Sequence, residues 1–365
     1  MAGLPEGVTA RRIEGVNGLS VQLLEAGPAD GPLVLLLHGF PELAFSWRHQ
    51  LPALAAAGFH VVAPDQRGYG ETTGHDAGDL AQFRLLNLAR DALGVAAALG
   101  HHEIACVVGH DFGSPVAGLL ALARPDLVNA CVLMSAPFPG PPAWPLLPRT
   151  APAPDMAAAL QGLDPPRQHY QLYYSTDAAA ADMDRPPQGI HAFLRAYYHV
   201  KSADWAGNQP HPLAGWGAAE LAKLPTYYVM EAGRGMAETV APHMPGPEEV
   251  AACAWLPEAD LAVYARAFAT TGFGPALLWY RAVTCGAFAA DLEIFAGRAI
   301  SCPFAFIAGA ADWGVYQAPG AFEAMQARGA TDPRMCERMP GAGHWVQQER
   351  PTEVNRLLLD FLGGR

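Results

Sequence analysis

The sequence predicts an α/β fold with a mostly parallel central sheet, flanked by helices and interrupted by an inserted helical lid. Continuous apolar runs such as residues 32–37 (PLVLLL) are typical of strands buried on both faces of a parallel sheet. Helical stretches such as residues 85–99 alternate with these runs. Between the early and late runs lies a long segment rich in proline and aromatic residues, where strand-like runs are scarce.

Each predicted element has a local signal. Residues 12–16 and 19–25 flank Asn17-Gly18, the pair that a tight type I′ turn of a β-hairpin favours. The last predicted helix, 351–362, begins with a proline and carries its apolar residues on one face. The other predicted strands are 32–37, 59–63, 104–108, 130–134, 302–307 and a weaker 335–339, and the other predicted helices are 47–57, 85–99 and 114–123.

The change in composition after residue 137 predicts the domain organisation. We expect a core domain formed by residues 1–137 and 300–365, and a helical lid domain formed by residues 138–299. Within the lid, residues 227–230 are the one candidate strand. The proline-containing stretch 228–257 resembles an elaboration of the lid.

Composition and charge exclude several classes of protein. With 51% apolar and 16% charged residues, the 365-residue chain is not intrinsically disordered. Its 35 acidic residues outnumber 23 basic ones, giving a net charge of −12, which is the wrong sign for binding nucleic acid.

Several features predict a cytoplasmic location. The N-terminal residues lack the apolar stretch of a signal peptide, and no run reaches the ~18 uncharged apolar residues that a membrane span requires. The six cysteines show no CxxC spacing, so we expect free thiols in a reducing compartment. The oligomeric state is not predicted.

The sharpest chemical signal is Gly109-His110-Asp111-Phe112-Gly113, between a predicted buried strand and a helix. Small residues two positions before and after the central residue permit the sharp strand–turn–helix elbow that presents a nucleophile. Here the central residue is Asp111, and a carboxylate nucleophile attacks saturated carbon to form an alkyl ester. The alternative is that Asp111 only caps the following helix.

A second loop predicts an oxyanion hole. His38-Gly39-Phe40-Pro41-Glu42 follows the first long apolar run, where a backbone N–H can point to the end of the sheet. The backbone N–H groups of Phe40 and Phe112 are the predicted donors, because Pro41 has no N–H. An ordinary glycine–proline turn is the alternative interpretation.

Asp312 and His344 complete a predicted catalytic triad. Asp312 follows a late strand and His344 precedes the terminal helix, so the chain order is nucleophile, acid, histidine. Asp312 would orient the imidazole, and His344 would deprotonate the water that cleaves the ester. The chain shows no phosphate-binding loop and no zinc motif, so we expect neither a cofactor nor a metal.

At these positions the sequence resembles the epoxide hydrolases of the α/β-hydrolase superfamily. The resemblance spans nearly the whole chain, and implies an apolar epoxide and water as substrates and a vicinal diol as product. Asp65 and Arg67, within one of the matching motifs, are expected to be structural. The motifs that carry the resemblance are HGFPE at 38–42, APDQRGYG at 63–70, GHDFGS at 109–114 and GAGHW at 341–345.

The resemblance also implies two lid tyrosines that protonate the epoxide oxygen. HYQLY at 169–173 looks like the first tyrosine motif and implicates Tyr170, with Tyr173 in reserve. LWYR at 278–281 looks like the second and implicates Tyr280. A phenol can donate while neutral at pH 7, as a leaving alkoxide requires.

Two other functions remain open on the sequence. A hydrolytic haloalkane or haloacid dehalogenase would use the same triad, but it usually carries Trp or Arg after the nucleophile, where this chain has Phe112 and then no arginine before Arg124. A non-catalytic binding protein on this fold is the more distant alternative, and it would be expected to have lost a triad member.

Overall fold

The computed structural model describes residues 3–146 and 155–363; residues 147–154 of the predicted lid, and both chain ends, lie outside the described residues. The strands of the described part are β1 (Val8–Val16), β2 (Leu19–Ala26), β3 (Leu33–Leu37), β4 (His60–Pro64), β5 (Cys106–His110), β6 (Cys131–Met134), β7 (Arg167–His169), β8 (Val229–Glu231), β9 (Ile300–Gly309) and β10 (Ala330–Met339).

The helices fall between and after these strands. Those of the core regions are α1 (Gln50–Ala56), α2 (Leu85–Ala98), α3 (Gly113–Ala123), and, after β9, α13 (Ala321–Arg328), α14 (Val346–Glu349) and α15 (Pro351–Gly363). Those between β6 and β9 are α4 (Met156–Gln161), α5 (Tyr170–Tyr174), α6 (Asp177–Asp184), α7 (Ile190–Lys201), α8 (Ala218–Leu221), α9 (Met236–Val240), α10 (Pro247–Ala252), α11 (Glu258–Thr271) and α12 (Gly274–Thr284).

The described residues form an eight-stranded sheet in the order β1-β2-β4-β3-β5-β6-β9-β10. Every pairing from β4 to β10 is parallel, and the β1–β2 and β2–β4 pairings are antiparallel. The predicted hairpin is confirmed: Asn17 and Gly18 adopt φ values of 49° and 82°, as a type I′ turn requires. The mostly parallel sheet predicted from the sequence is thus confirmed.

Side chains of the central strands alternate between two packed layers. In β3, Leu35 and Leu37 belong to the cluster that includes residues of α2 and α3, whereas Val34 and Leu36 pack with residues of α1 and α15. All five residues of β3 are buried, as are those of β4 and β5, which explains why these strands read as unbroken apolar runs.

In the described residues between β6 and β9, the regular secondary structure is helical apart from one short antiparallel pair of strands. β7 pairs with β8, so the candidate strand at 227–230 exists, but it begins two residues later and ends one residue later than expected, and its partner is not predicted by the sequence. Three residues are too few to show the alternation that identifies a strand in a sequence. The Trp279 indole in α12 donates to the Arg67 carbonyl (2.9 Å), which fixes this region over the loop after β4.

The loop after β4 has the structural role expected of its charged residues. Arg67 binds the Asp91 carboxylate through two nitrogens, each at 2.7 Å, and both side chains are buried. Asp65 accepts the Ala44 N–H at 2.9 Å. Within the described ranges, no helix has both the length and the apolar character needed to cross a bilayer.

Candidate active site

Asp111 lies in a sharp turn between β5 and α3, at the carboxyl end of the central sheet. Its φ of 50° is unusual for a residue with a side chain and is typical of a nucleophile elbow. A Cβ on Gly109 would lie 2.2 Å from the Gly113 carbonyl oxygen, and one on Gly113 would lie 2.2 Å from that of Leu37. The glycines that predicted the elbow are therefore required for close backbone contacts.

The Asp111 carboxylate is held by two different groups. Its Oδ1 accepts the Phe40 backbone N–H at 2.9 Å, and its Oδ2 lies 3.3 Å from His344 Nε2. The residue that caps α3 is Phe112, and no side chain donates or accepts at that cap. The helix-capping interpretation of Asp111 is therefore wrong.

His344 is oriented by Asp312, as the order along the chain predicted. His344 Nδ1 lies 3.1 Å from Asp312 Oδ1, and both side chains are only 1% exposed. Asp312 Oδ1 also accepts the Gly314 N–H at 2.7 Å, which fixes the carboxylate. The structure therefore brings Asp111, His344 and Asp312 together in one buried line.

The backbone carbonyl of His344 is held by groups that the sequence did not reveal. Ser135 Oγ donates to it at 2.9 Å, and His110 Nε2 lies 2.7 Å from it. The other ring nitrogen of His110 contacts the Glu42 carboxylate at 2.5 Å. Glu42 also accepts the side-chain amides of Gln347 and Gln348.

The charges in this line influence one another. Burial alone would lower the pKa of His344, but the nearby Asp312 and Asp111 carboxylates outweigh it and raise the pKa to about 9. Burial disfavours the charged carboxylates, yet the imidazolium holds the pKa of Asp111 and that of Asp312 below the usual range. These shifts favour the charged forms of all three groups in the unreacted protein.

Asp111 opens onto a cavity of about 350 Å³, with an apolar wall suited to an uncharged small molecule. Phe112, Tyr170 and Tyr280 line the same cavity. The Tyr170 and Tyr280 rings contact each other with centroids 5.9 Å apart, and Tyr280 also packs against Phe112 at 5.2 Å. Apolar residues of the wall include Leu85, Pro115, Phe138, Val283 and Leu292.

The two predicted tyrosines are protonated in this setting. Burial and the neighbouring Asp111 charge raise the pKa of Tyr170 and that of Tyr280 well above the ordinary value. The Tyr170 hydroxyl donates to Gln317 Oε1 at 2.8 Å and accepts from the Gln171 side chain at 3.2 Å. Tyr173, the reserve residue, instead donates to Asp182 at 3.1 Å.

Besides Ser135, sequence reasoning missed four residues around the site. His110 was overlooked although it directly precedes Asp111, and Glu42 was seen only as part of a loop motif. Gln317 and Lys201 had no signal, because each stands alone in its segment and reaches the site only through folding. Lys201 is 3% exposed, and its backbone carbonyl accepts the His344 N–H at 2.9 Å.

Comparison with known proteins gives the family. A model of the alpha/beta hydrolase fold family matches residues 32–176. Epoxide hydrolase B of Mycobacterium tuberculosis is 36% identical to this chain over 372 aligned positions, covering 97% of this chain and 98% of the relative. The chain belongs to the epoxide hydrolase family.

Solved structures of epoxide hydrolases are similar over the whole length. An epoxide hydrolase from an endophytic Streptomyces superimposes with a TM-score of 0.78 at 34% identity, covering 99% of this chain and 96% of that one. Epoxide hydrolase A from Mycobacterium thermoresistibile gives a TM-score of 0.75 at 34% identity, covering 98% of each chain. The family and fold that the sequence motifs predicted are confirmed.

Proposed function

We propose that this member of the epoxide hydrolase family converts small apolar epoxides to vicinal diols through a covalent ester on Asp111. The observation that carries the proposal is the 3.3 Å contact between Asp111 Oδ2 and His344 Nε2 at the wall of an apolar cavity. The same cavity is lined by Tyr170 and Tyr280, whose phenols supply an acid for the ring oxygen.

Ring opening is the first half of the reaction. Asp111 Oδ2 is the attacking atom, because Oδ1 is already held by the Phe40 N–H. Its electron pair forms a bond to one ring carbon while the carbon–oxygen bond breaks, and the ring oxygen takes a proton from Tyr170 or Tyr280. The products are a neutral alkyl ester and a tyrosinate, which regains its proton before the next turnover.

Ester hydrolysis is the second half. Once Asp111 has lost its charge, the imidazolium of His344 loses one of the two anions that stabilise it. The imidazolium releases its proton, solvent returns a proton to the tyrosinate, and His344 becomes a neutral imidazole. The neutral imidazole then removes a proton from water, and the hydroxide attacks the Asp111 carboxyl carbon.

The tetrahedral oxyanion forms at Oδ1, where the Phe40 N–H donates and the Phe112 N–H is the expected second donor. Collapse breaks the bond from the carboxyl carbon to the ester oxygen, which takes a proton from the imidazolium as the diol leaves. The carboxylic acid that remains then returns its proton to His344 and restores the starting charges. Asp312 stabilises the imidazolium whenever it forms.

Residues 1–137 and 300–365 would form the catalytic core and residues 138–299 the lid, which carries both tyrosines. The reaction as written uses water alone and no cofactor or metal. A cytoplasmic location is supported by the free thiols of Cys253, Cys285 and Cys336, which suit a reducing compartment.

The test compares the products and the covalent intermediate. The wild-type enzyme is expected to form diol from styrene oxide and to release no halide from a panel of haloalkanes. His344→Gln should accumulate an alkyl-enzyme adduct visible by intact mass, whereas Asp111→Asn should form none. Halide release without diol formation would instead indicate a dehalogenase, and an adduct on Asp111→Asn would exclude this nucleophile.

A further inference from the structure

Lys201 is a buried cation that the reaction described above does not use. It is the last residue of α7 and is 3% exposed. The other lysine of the chain, Lys223, pairs with Glu220 at the surface. Among the described residues no carboxylate forms an ion pair with the Lys201 ammonium, although the charge of Asp111 interacts with it from a greater distance.

Five aromatic rings surround the ammonium. Its Nζ lies 4.7 Å from the ring centroid of Tyr228 and 5.1 Å from that of Tyr197. The faces of such rings are electron-rich and offset part of the cost of burying an ammonium. The remaining rings of this aromatic cage are Tyr227 at 5.7 Å, Tyr170 at 5.9 Å and Trp345 at 6.0 Å.

The cage is linked to His344 by a backbone hydrogen bond. The Lys201 carbonyl accepts the backbone N–H of His344 at 2.9 Å, and the next residue, Trp345, supplies one of the five rings. A second ring belongs to Tyr170, whose hydroxyl is expected to protonate the epoxide. The Lys201 ammonium therefore lies in a cluster that also holds the base, His344, and one of the two proposed acids, Tyr170.

We propose that Lys201 is a positioning residue whose buried ammonium keeps the His344 imidazole unprotonated while the Asp111 ester awaits attack by water. The proposal rests on the proposed function, since it concerns the state that follows ring opening. In the unreacted site, one imidazolium and one ammonium balance the carboxylates of Asp111 and Asp312. Esterification removes one negative charge, and the ammonium then repels the proton on the imidazole.

The effect of Lys201 is opposed to that of the carboxylates. Asp312 and Asp111 raise the pKa of His344, whereas the Lys201 charge lowers it. Without the ammonium, Asp312 alone would hold the proton on His344 more tightly, and a protonated imidazole cannot act as a base. The titratable or charged groups that face His344 and its loop are Asp111, Asp312, Lys201, His110 with its partner Glu42, the cage phenols Tyr227 and Tyr228, and Glu349.

Glu349 must be separated from this effect in the test. It accepts the backbone N–H groups of Gly343 and Trp345, and burial raises its pKa to about 7. Its titration overlaps the range in which His344 is expected to change charge. Because it remains unchanged in variants of Lys201, a difference between those variants and the wild type reports on the ammonium.

The experiment follows decay of the Asp111 ester. Wild type, Lys201→Met and Lys201→Arg are each mixed with styrene oxide in a single turnover, and the ester that remains after each interval is measured by intact mass. The reactions are run from about pH 5.5 to about pH 9.5, roughly one unit beyond each end of the neutral range. Removing the cation raises the pKa of His344, so the midpoint of the acid limb should move to higher pH in Lys201→Met by about one unit. Ester decay should then be about tenfold slower than wild type below the midpoint and equal to it at high pH. Lys201→Arg keeps the charge and should keep the wild-type midpoint.

Each other outcome has a defined meaning. A uniform loss of rate in Lys201→Met with an unchanged midpoint would show a structural role and overturn the proposal. Failure of Lys201→Met to fold, when Lys201→Arg folds, would likewise assign the ammonium to stability and overturn it. Absence of any ester in the wild-type protein would overturn the proposed function itself, and this proposal with it.

Discussion

The two lid tyrosines differ in how they are held, and this matters at the scale of single residues. The Tyr170 hydroxyl is bound between Gln317 and Gln171, whereas the Tyr280 ring is positioned by aromatic contacts with Phe40 and Phe112. An epoxide that accepts a proton from Tyr170 must therefore compete with Gln317 for the hydroxyl hydrogen.

Tyr170→Phe is expected to slow ring opening by about 10²-fold, because a positioned general acid contributes roughly that much to a rate. The measurement is the rate of ester formation in a single turnover. Tyr173→Phe is the matched control, since Tyr173 donates to Asp182 and does not line the cavity. Equal rates in the wild type and Tyr170→Phe would contradict the assignment of the first acid.

Single residues also mark where prediction from the sequence ended. Asp111, His344 and Asp312 stand in short glycine-containing motifs whose backbone requirements can be recognised in a sequence. Lys201 and Gln317 do not, because their importance comes from neighbours that are distant along the chain. The Lys201 cage combines the end of α7 with rings from three other segments, an arrangement that only the folded chain reveals.

At the scale of elements, the glycines that predict the elbow between β5 and α3 in the sequence are the same residues that make its close backbone contacts in the structure. Its glycines are needed because the backbones of the turn, α3 and β3 approach too closely for a Cβ. The short β7–β8 pair shows the opposite case. Its three-residue strands leave no periodic signal, so only the candidate strand at 227–230 is predicted and its partner β7 is not.

Gly109→Ala is expected to lower the free energy of unfolding by roughly 2 kcal/mol, because the new methyl group would overlap the Gly113 carbonyl oxygen. The turnover rate should fall as well, since relief of the overlap displaces Asp111. Urea unfolding and diol formation measure the two effects. In Gly215→Ala, the control, no atom lies within 4 Å of the added carbon, and both quantities should stay close to wild type. Unchanged activity in a folded Gly109→Ala variant would contradict this view of the elbow.

At the scale of the whole molecule, the parallel sheet and its order of elements could be predicted because burial on two faces produces unbroken apolar strands. The contacts between the inserted helices and the core could not be predicted. Those contacts depend on pairs such as Arg48 with Asp260 and Trp279 with the Arg67 carbonyl, which join segments more than two hundred residues apart. Isolated polar residues of this kind look like surface residues in a sequence.

The whole-molecule arrangement also explains how one site performs two reactions. In the proposed mechanism, loops at the ends of the sheet strands supply the nucleophile, the amide that donates to it, the base and the orienting acid, whereas the inserted helices supply the phenols and most of the Lys201 cage. The central claim is that the oxygen atom added to the ring carbon comes from the Asp111 carboxylate. Water then replaces that oxygen in the carboxylate when the ester is hydrolysed.

A single turnover in water enriched in oxygen-18 tests that claim most directly. With enzyme in excess over epoxide, the diol should carry no label, and the peptide containing Asp111 should gain one labelled oxygen, because water attacks the carboxyl carbon of the ester. A labelled diol with an unlabelled Asp111 peptide would show that water opens the ring directly, and would contradict the account.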